Sequence, residues 1–279
     1  MKTLFKTRIL KALTILALVI FTSSTLMAKK SIDIATEDRQ LPAFSSIKLM
    51  CSADLILTQG NTQQVTVKAD SDIIKYLETR VEGDVLVVDV TKNRLYNIHV
   101  LEIHITLPQL ERLVSAGSGD VKITKGFKTN DLYVKLNGSG DFDAQLNATN
   151  LELDINGSGD ADFDGVKGVF NLSINGSGDV NARGLQLETC VVKSMGSGDV
   201  EISGNCVDLT ITQMGSGDIN AYGLKTVNAI ASNMGSGDML LTVVESLQAK
   251  LMGSGDLTYS GNPAKLKVSA NGSGEVYSR

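Results

Sequence analysis

The amino-acid sequence predicts an all-β chain folded as a β-solenoid, a right-handed parallel β-helix with about 19 residues per coil. Three observations predict it. First, the tetrapeptide Gly-Ser-Gly-Asp begins at Gly117, Gly138, Gly157, Gly176, Gly196, Gly215, Gly235, Gly253 and Gly272, with Glu275 in place of Asp in the last copy. The intervals are 21, 19, 19, 20, 19, 20, 18 and 19 residues. Second, apolar and polar residues alternate with period two on both sides of the motif, the pattern of a short strand with one buried face. Third, a unit this short, with two or three short strands, cannot bury its apolar face alone, whereas stacked units share one core. A β-propeller blade needs about twice this period, and a sandwich would not hold the register so strictly.

Taken from the N-terminus, Lys2, Lys6, Arg8 and Lys11 precede an apolar run from Ala12 to Phe21, and small residues then lead to Ala28. This is the layout of a secretory signal peptide, residues 1–28, with an apolar core too short for an ordinary membrane span. Residues 29–279 are expected to form a single β-solenoid domain, with an irregular capping part at 29–116 and regular coils at 117–279. Within the capping part, Cys51-Ser52-Ala53-Asp54 aligns with Gly-Ser-Gly-Asp, and Ile47, Leu55 and Leu57 fall on inward positions, so this is a degenerate coil. Alternating stretches at 63–70, 84–92 and 100–108 predict longer strands around a short helix at 71–79. In "HVLEIHITL", Leu101, Ile103, Ile105 and Leu107 share one face, which leaves His104 outside with Glu102 and His99 on the opposite side.

In the regular coils the residue after the acid is apolar every time: Val121, Phe142, Ala161, Val180, Val200, Ile219, Met239, Leu257 and Val276. Two further on come Ile123, Ala144, Phe163, Ala182, Ile202, Ala221, Leu241 and Tyr259. Four residues before the motif stand Val134, Leu153, Leu172, Val192, Ile211, Ala231, Ala249 and Val268, and six before it a second apolar ladder runs from Leu132 to Leu266. Each unit is therefore strand, turn, strand and a second corner, often marked by its own glycine at Gly165, Gly184, Gly204, Gly223 or Gly261. The residue before the motif forms a further ladder, with Met195, Met214, Met234 and Met252 in four successive coils. Its parity is outward. The methionines then either fold over the glycine backbone, the preferred reading, or stand as an exposed stripe suited to an adaptable partner.

Composition narrows the function. Removing residues 1–28 takes away four basic residues and no acidic one, so 22 Lys+Arg face 31 Asp+Glu, a net charge of −9. That balance disfavours nucleic acid and anionic lipid as partners. Cys51, Cys190 and Cys206 are too few for a disulfide framework. Cys190 and Cys206 fall on neighbouring coils but three positions out of register, about 10 Å along a strand, where a disulfide needs Cα atoms within about 7 Å. Two histidines cannot build a multi-histidine metal site.

The Gly-Ser-Gly-Asp motif is read as a turn. Glycine there lets the backbone adopt positive φ and pass close to adjacent coils, Asp accepts turn amides, and stacked serines bond from coil to coil. The rival reading is a calcium ladder, because acids about 4.8 Å apart repel one another by about 1 kcal/mol per pair. Only one coil adds further acids, Asp160, Asp162 and Asp164, and calcium wants six to eight oxygens. The sequence therefore assigns no catalytic, cofactor or metal residues and no cofactor. No Ser-His-Asp set or phosphate-cradling loop stands out, and the ladder acids all look alike where a glycosidase needs two unlike carboxylates.

The N-terminal "LPAFSSIKL" and "ADLILTQG", then "HITLPQLERLVSAGSGDV", then the tandem coils resemble the putative auto-transporter adhesin, head GIN-domain family over about residues 40–275. The resemblance implies an exported bacterial envelope protein with a β-helical fold and no established activity, and it supplies no catalytic residues. The chain ends at Arg279, directly after the last coil, so no translocating β-barrel of its own is expected. The expected function is a non-enzymatic, exported envelope or cell-surface interaction module, located in the periplasm, at the outer membrane or outside the cell. Its expected partner is a glycan or an envelope or cell-surface protein; a homo-oligomer is compatible with the sequence. The alternatives are a polysaccharide-active β-helix enzyme and a calcium-binding structural solenoid.

Overall fold

The computed structural model describes residues 33–91 and 98–279. The signal-peptide expectation for residues 1–28 lies outside the described residues. Among them no helix is long and apolar enough to cross a membrane.

The regular coils are built from long bent strands: β9 (Val121–Leu136), β10 (Phe142–Ile155), β11 (Ala161–Ile174), β12 (Val180–Ser194), β13 (Val200–Gln213), β14 (Ile219–Asn233) and β15 (Met239–Leu251). The last coil splits into β16 (Leu257–Ser260), β17 (Lys265–Ala270) and β18 (Val276–Ser278). Each strand pairs in parallel with the equivalent strand one coil on: Phe142 meets Ala161, Ala161 meets Val180, and Val180 meets Val200. The predicted parallel β-solenoid is the fold, and its inward ladders form one continuous core.

Burial shows three sides per coil. Alternation holds from Phe142 to Ala148, then skips Thr149 and Asn150 before Leu151 is buried. The same double step recurs at 130–131, 188–189, 207–208 and 227–228. A third corner therefore stands seven residues before the motifs at Gly138, Gly157, Gly196, Gly215 and Gly235. No glycine marks it consistently, so a search for turn residues passes over it. The second corner matches expectation: Gly165, Gly184, Gly204 and Gly261 have φ of +82°, +64°, +135° and +105°, a backbone only glycine enters without strain. In the first regular coil that corner is Lys125-Gly126, at φ of +61° and +62°.

The N-terminal part closes one end of the stack. It contains β1 (Ile34–Asp38), β2 (Ser46–Leu49), β3 (Asp54–Gln59), β4 (Gln64–Asp70), β5 (Leu77–Glu82), β6 (Val85–Val90), β7 (Leu101–Leu107) and β8 (Arg112–Ser115). The degenerate coil is as expected: β3 pairs in parallel with β9, and Gly117 and Gly119 stack directly on Cys51 and Ala53. Antiparallel pairs β1–β4, β4–β7 and β5–β6 break the parallel register here. At the opposite end the described residues supply no such cover. Leu266 and Val268 hold inward ladder positions yet are 49% and 44% exposed, because no described coil lies beyond them.

Two local expectations need correction. The helix at 71–79 shrinks to one 3-10 turn, Ile74–Tyr76, because Leu77 already opens β5 and pairs with Val90. His99 lies before β7 rather than on its opposite face, and Asp70 claims it. The buried Asp70 carboxylate accepts the backbone amides of His99 and Val100 at 3.0 and 3.1 Å, and its Oδ2 lies 3.0 Å from His99 Nδ1. His104 does face outward, with Nε2 2.8 Å from Glu102.

Burial pushes the Asp70 carboxyl upward, but the bonds from the His99 side chain and the two amides outweigh it and hold it below the usual carboxylate range. A depressed acid contributes stability above its unfolded value, about 3.9, and loses it as pH falls through the lower folded value. Thermal melting should therefore drop on acidification below about pH 4, and less steeply in Asp70→Asn. An unchanged acid slope in that variant would show that Asp70 does not carry the effect.

The cysteines occupy core positions and are free. Cys190 pairs with Leu209 and Cys206 with Leu187, three residues out of register. Burial pushes both thiols up, Cys206 to about 11 with a further rise from Asp208. A protonated, buried thiol is a poor nucleophile. Native protein should show no 190–206 cross-linked peptide in non-reducing mass spectrometry, and both thiols should alkylate only after unfolding. A recovered cross-link would overturn the register argument.

Candidate functional site

The Gly-Ser-Gly-Asp corner runs the length of the stack and is held by backbone geometry. A Cβ on Gly176 would lie 1.8 Å from the carbonyl oxygen of Gly157, and the other motif glycines face equivalent contacts. None of them has positive φ. The expectation of a left-handed turn is therefore corrected: glycine is required because adjacent coils touch there, not because of handedness. Serine bonds coil to coil mainly through its backbone, as in Ser177 N to Gly157 O at 2.9 Å. A hydroxyl-to-hydroxyl step is formed by Ser118 and Ser52 at 3.0 Å.

Aspartate closes the corner in a way the sequence only partly suggests. Each Asp Oδ1 accepts the backbone amide of the Asp one coil on, not an amide of its own turn. The chain of bonds runs from Asp54 through Asp120, Asp141, Asp160, Asp179, Asp199, Asp218, Asp238 and Asp256 to the amide of Glu275, at 2.7–3.0 Å per step. The Glu275 side chain instead accepts the Tyr277 hydroxyl at 2.9 Å. Among the described residues no three His, Cys, Asp or Glu converge on a metal position. Of the extra acids beside Asp160, Asp162 forms a two-pronged ion pair with Arg183, Nη1 to Oδ2 at 2.9 Å.

Beneath the corner, three successive coils carry polar residues where β9, β10, β11 and β15 end in Leu or Ile. Ser194, Gln213 and Asn233 are fully buried, stacked in register, two residues before their motifs. The Asn233 side chain reaches over its turn, donating to Gly237 O at 2.8 Å and accepting from Gly235 N at 2.9 Å. Gln213 likewise donates to Gly217 O. Directly above them, Met195, Met214, Met234 and Met252 are 38–47% exposed. The preferred reading of those methionines, folded over glycine backbone, gives way to the open stripe.

A concave surface lies at the third corner. A groove of about 410 Å³ runs across the first regular coils between the loop before β8 and the outward faces of β9, β10 and β11. Gln109 and Glu111 form one wall, with Gln109 Nε2 donating to Glu111 Oε1 at 2.9 Å. The corner ladder supplies Asp131 and Asn150, joined at 2.7 Å, and Asn150 Oδ1 also accepts the Val169 amide. Its outward column is Tyr133, Glu152 and Asn171. Arg112 stacks 4.1 Å from the Tyr133 ring centre, and the Tyr133 hydroxyl donates to Asp154 at 2.8 Å. Burial, then Asp154, pushes that phenol up. Glu152, Asn130 and Asn171 make no side-chain hydrogen bond among the described residues and face the groove open-handed. A second depression of about 320 Å³ continues it past Asn130 to Asn147 and Lys128. Sequence reasoning missed this groove because its residues come from four coils and share no motif.

Fold and corner together define a class, the parallel β-solenoid with stacked Gly-Ser-Gly-Asp turns. The family described as putative auto-transporter adhesin, head GIN domain, matches residues 43–203 and 191–263, and the chain belongs to it. Similar folds occur in a putative adhesin from Bacteroides fragilis NCTC 9343, with 24% identity, 89% of this chain and 98% of that chain covered, and a TM-score of 0.51. A putative lipid binding protein from Parabacteroides distasonis ATCC 8503 has 22% identity, covers 89% and 98%, and gives a TM-score of 0.63. A putative adhesin from Parabacteroides merdae ATCC 43184 has 18% identity, covers 89% and 97%, and gives 0.61. No curated protein matches the chain.

Proposed function

We propose that the protein is a non-enzymatic, exported interaction module of the bacterial envelope or cell surface, and that the third-corner groove is its binding face for a neutral glycan. The observation that carries this is the groove's row of unbonded polar groups, Asn130, Glu152 and Asn171, set on a rigid ladder. Paired amides and carboxylates beside a tyrosine suit sugar hydroxyls, which are both donors and acceptors. Glu111, Asp131 and Glu152 disfavour an anionic polysaccharide. The non-enzymatic reading is supported by an Asp ladder of like carboxylates, each with Oδ1 accepting an amide, and by the engagement of both histidines with Asp70 and Glu102 in the capping part.

The test is binding to a panel of neutral and acidic oligosaccharides, with Glu152→Ala and Asn171→Ala as variants. Neutral glycans should bind, and each variant should weaken binding about tenfold, the effect of one lost polar contact. Binding that survives both variants would move the site elsewhere. Release of shortened or unsaturated sugars would replace the proposal with the enzyme reading. Cell fractionation tests the surface role separately, and recovery only from the periplasm would defeat it.

A further inference from the structure

The methionine stripe has a chemistry that the groove does not share. Met195, Met214, Met234 and Met252 stand in four successive coils, all open to solvent. Their positions are fixed by backbone bonds from coil to coil: Met214 N to Ser194 O at 2.8 Å, Met234 N to Gln213 O at 2.8 Å and Met252 N to Asn233 O at 2.7 Å. Neighbouring Cα atoms are thus one inter-strand spacing apart, about 4.8 Å. Two metal–sulfur bonds of about 2.3 Å each span nearly that distance. Thioether sulfur is a soft donor that selects copper(I) over the harder divalent ions. The unbranched methionine side chain adapts to bring two sulfurs onto one ion.

The surroundings favour a cation. Asp199, Asp218, Asp238 and Asp256 run in a parallel column across the turn, each accepting a backbone amide at Oδ1 while Oδ2 takes no hydrogen bond among the described residues. On the other side, Lys193 and Lys250 flank Met195 and Met252, whereas neutral Thr212 and Ser232 flank Met214 and Met234. The central pair is therefore the least opposed by positive charge. We propose that adjacent methionines of this stripe, with Met214 and Met234 at its centre, form a binding site for a soft monovalent cation, copper(I), held by two or more thioethers.

Two double variants of equal sulfur count separate this site from scattered single contacts. Met214→Leu/Met234→Leu leaves Met195 and Met252 three coil steps apart, about 14 Å, with no adjacent pair. Met195→Leu/Met252→Leu keeps the central pair. Leucine preserves apolar volume at these exposed positions, so both should fold, and circular dichroism checks that they do. Silver(I), a redox-inert stand-in for copper(I), is titrated in chloride-free buffer. The wild type should bind it, the central-pair variant should match within about threefold, and the variant without adjacent sulfurs should weaken about tenfold or more, since chelation depends on the second donor being held nearby. Equal affinity in both double variants would overturn the proposal, and so would absence of binding in the wild type. A readout without mutation is the methionine methyl NMR spectrum of the wild type. Silver(I) should move the four stripe methyls and leave Met50, which is alone at its turn, and the buried Met239 in place. Shifts confined to Met50, or to none of the methyls, would equally overturn it. All three cysteines are present in every variant, so binding through them cannot produce the contrast.

Discussion

Gly176→Val should abolish cooperative folding or lower the melting temperature by about 10 °C or more, corresponding to about 4 kcal/mol. The reason is distance. A Cβ at Gly176 would stand 1.8 Å from Gly157 O, 2.8 Å from Gly157 C and 2.9 Å from Gly157 N. These are backbone atoms, fixed by the next turn's own bonds, so no side chain can swing away to make room. In a solenoid each coil is stabilised chiefly by its neighbours, and wedging two apart weakens both interfaces. Asp179→Asn should cost about 1 kcal/mol or less. Its amide oxygen can still accept the Asp199 amide, which Asp179 Oδ1 now meets at 2.8 Å, while repulsion along the ladder falls. Melting of wild type and both variants, each in millimolar calcium and in chelator, distinguishes a turn from a metal site. A large calcium-dependent rise in wild type that disappears in Asp179→Asn would show that the corner is a site.

Phe163→Ala should destabilise the protein by about 4 kcal/mol, within the range for deleting a buried aromatic ring. Phe163 is 1% exposed and sits in a ladder between Ala144 and Ala182. Its ring fills the space those alanines leave and packs against Phe170 edge-on, with centroids 5.3 Å apart, and against Phe142 at 6.4 Å. Removing it puts three alanines in a row, and the coil spacing prevents the walls from closing the cavity. Urea denaturation reads the effect. A loss below about 1 kcal/mol would mean that the coils can collapse onto the vacancy, contrary to the close backbone stacking at the corner.

Much of this molecule is legible in its sequence because a solenoid repeats one local decision. The period of the glycine motif, the alternation around it and the parity of Val134, Leu153 and Leu172 each report the same strand facing the same core, so errors in one coil are corrected by the next. Even the degenerate coil at Cys51–Asp54 is readable, since Leu55 and Leu57 keep the parity when the glycines are gone. The register of Cys190 against Cys206 follows from counting alone.

What counting cannot reach is contact between coils and the course of the chain at unmarked bends. The third corner is hidden because Asn150, Asp208 and Asn228 turn without glycine. The groove is hidden with it, since Glu111, Asp131, Glu152 and Asn171 meet only after the coils have stacked. The motif glycines are conspicuous, but their reason is not. None of them has positive φ, and only the stacked backbone reveals that no Cβ fits. Nor does parity decide whether Met214 and Met234 lie flat or stand open, because an outward position states a direction and not a cover. The sequence by itself determined a period, a parity and hence a parallel solenoid, all properties of one strand repeated. The tertiary structure alone decided which side chains of different coils come together, because that depends on the stacking distance and on bends that no residue type announces.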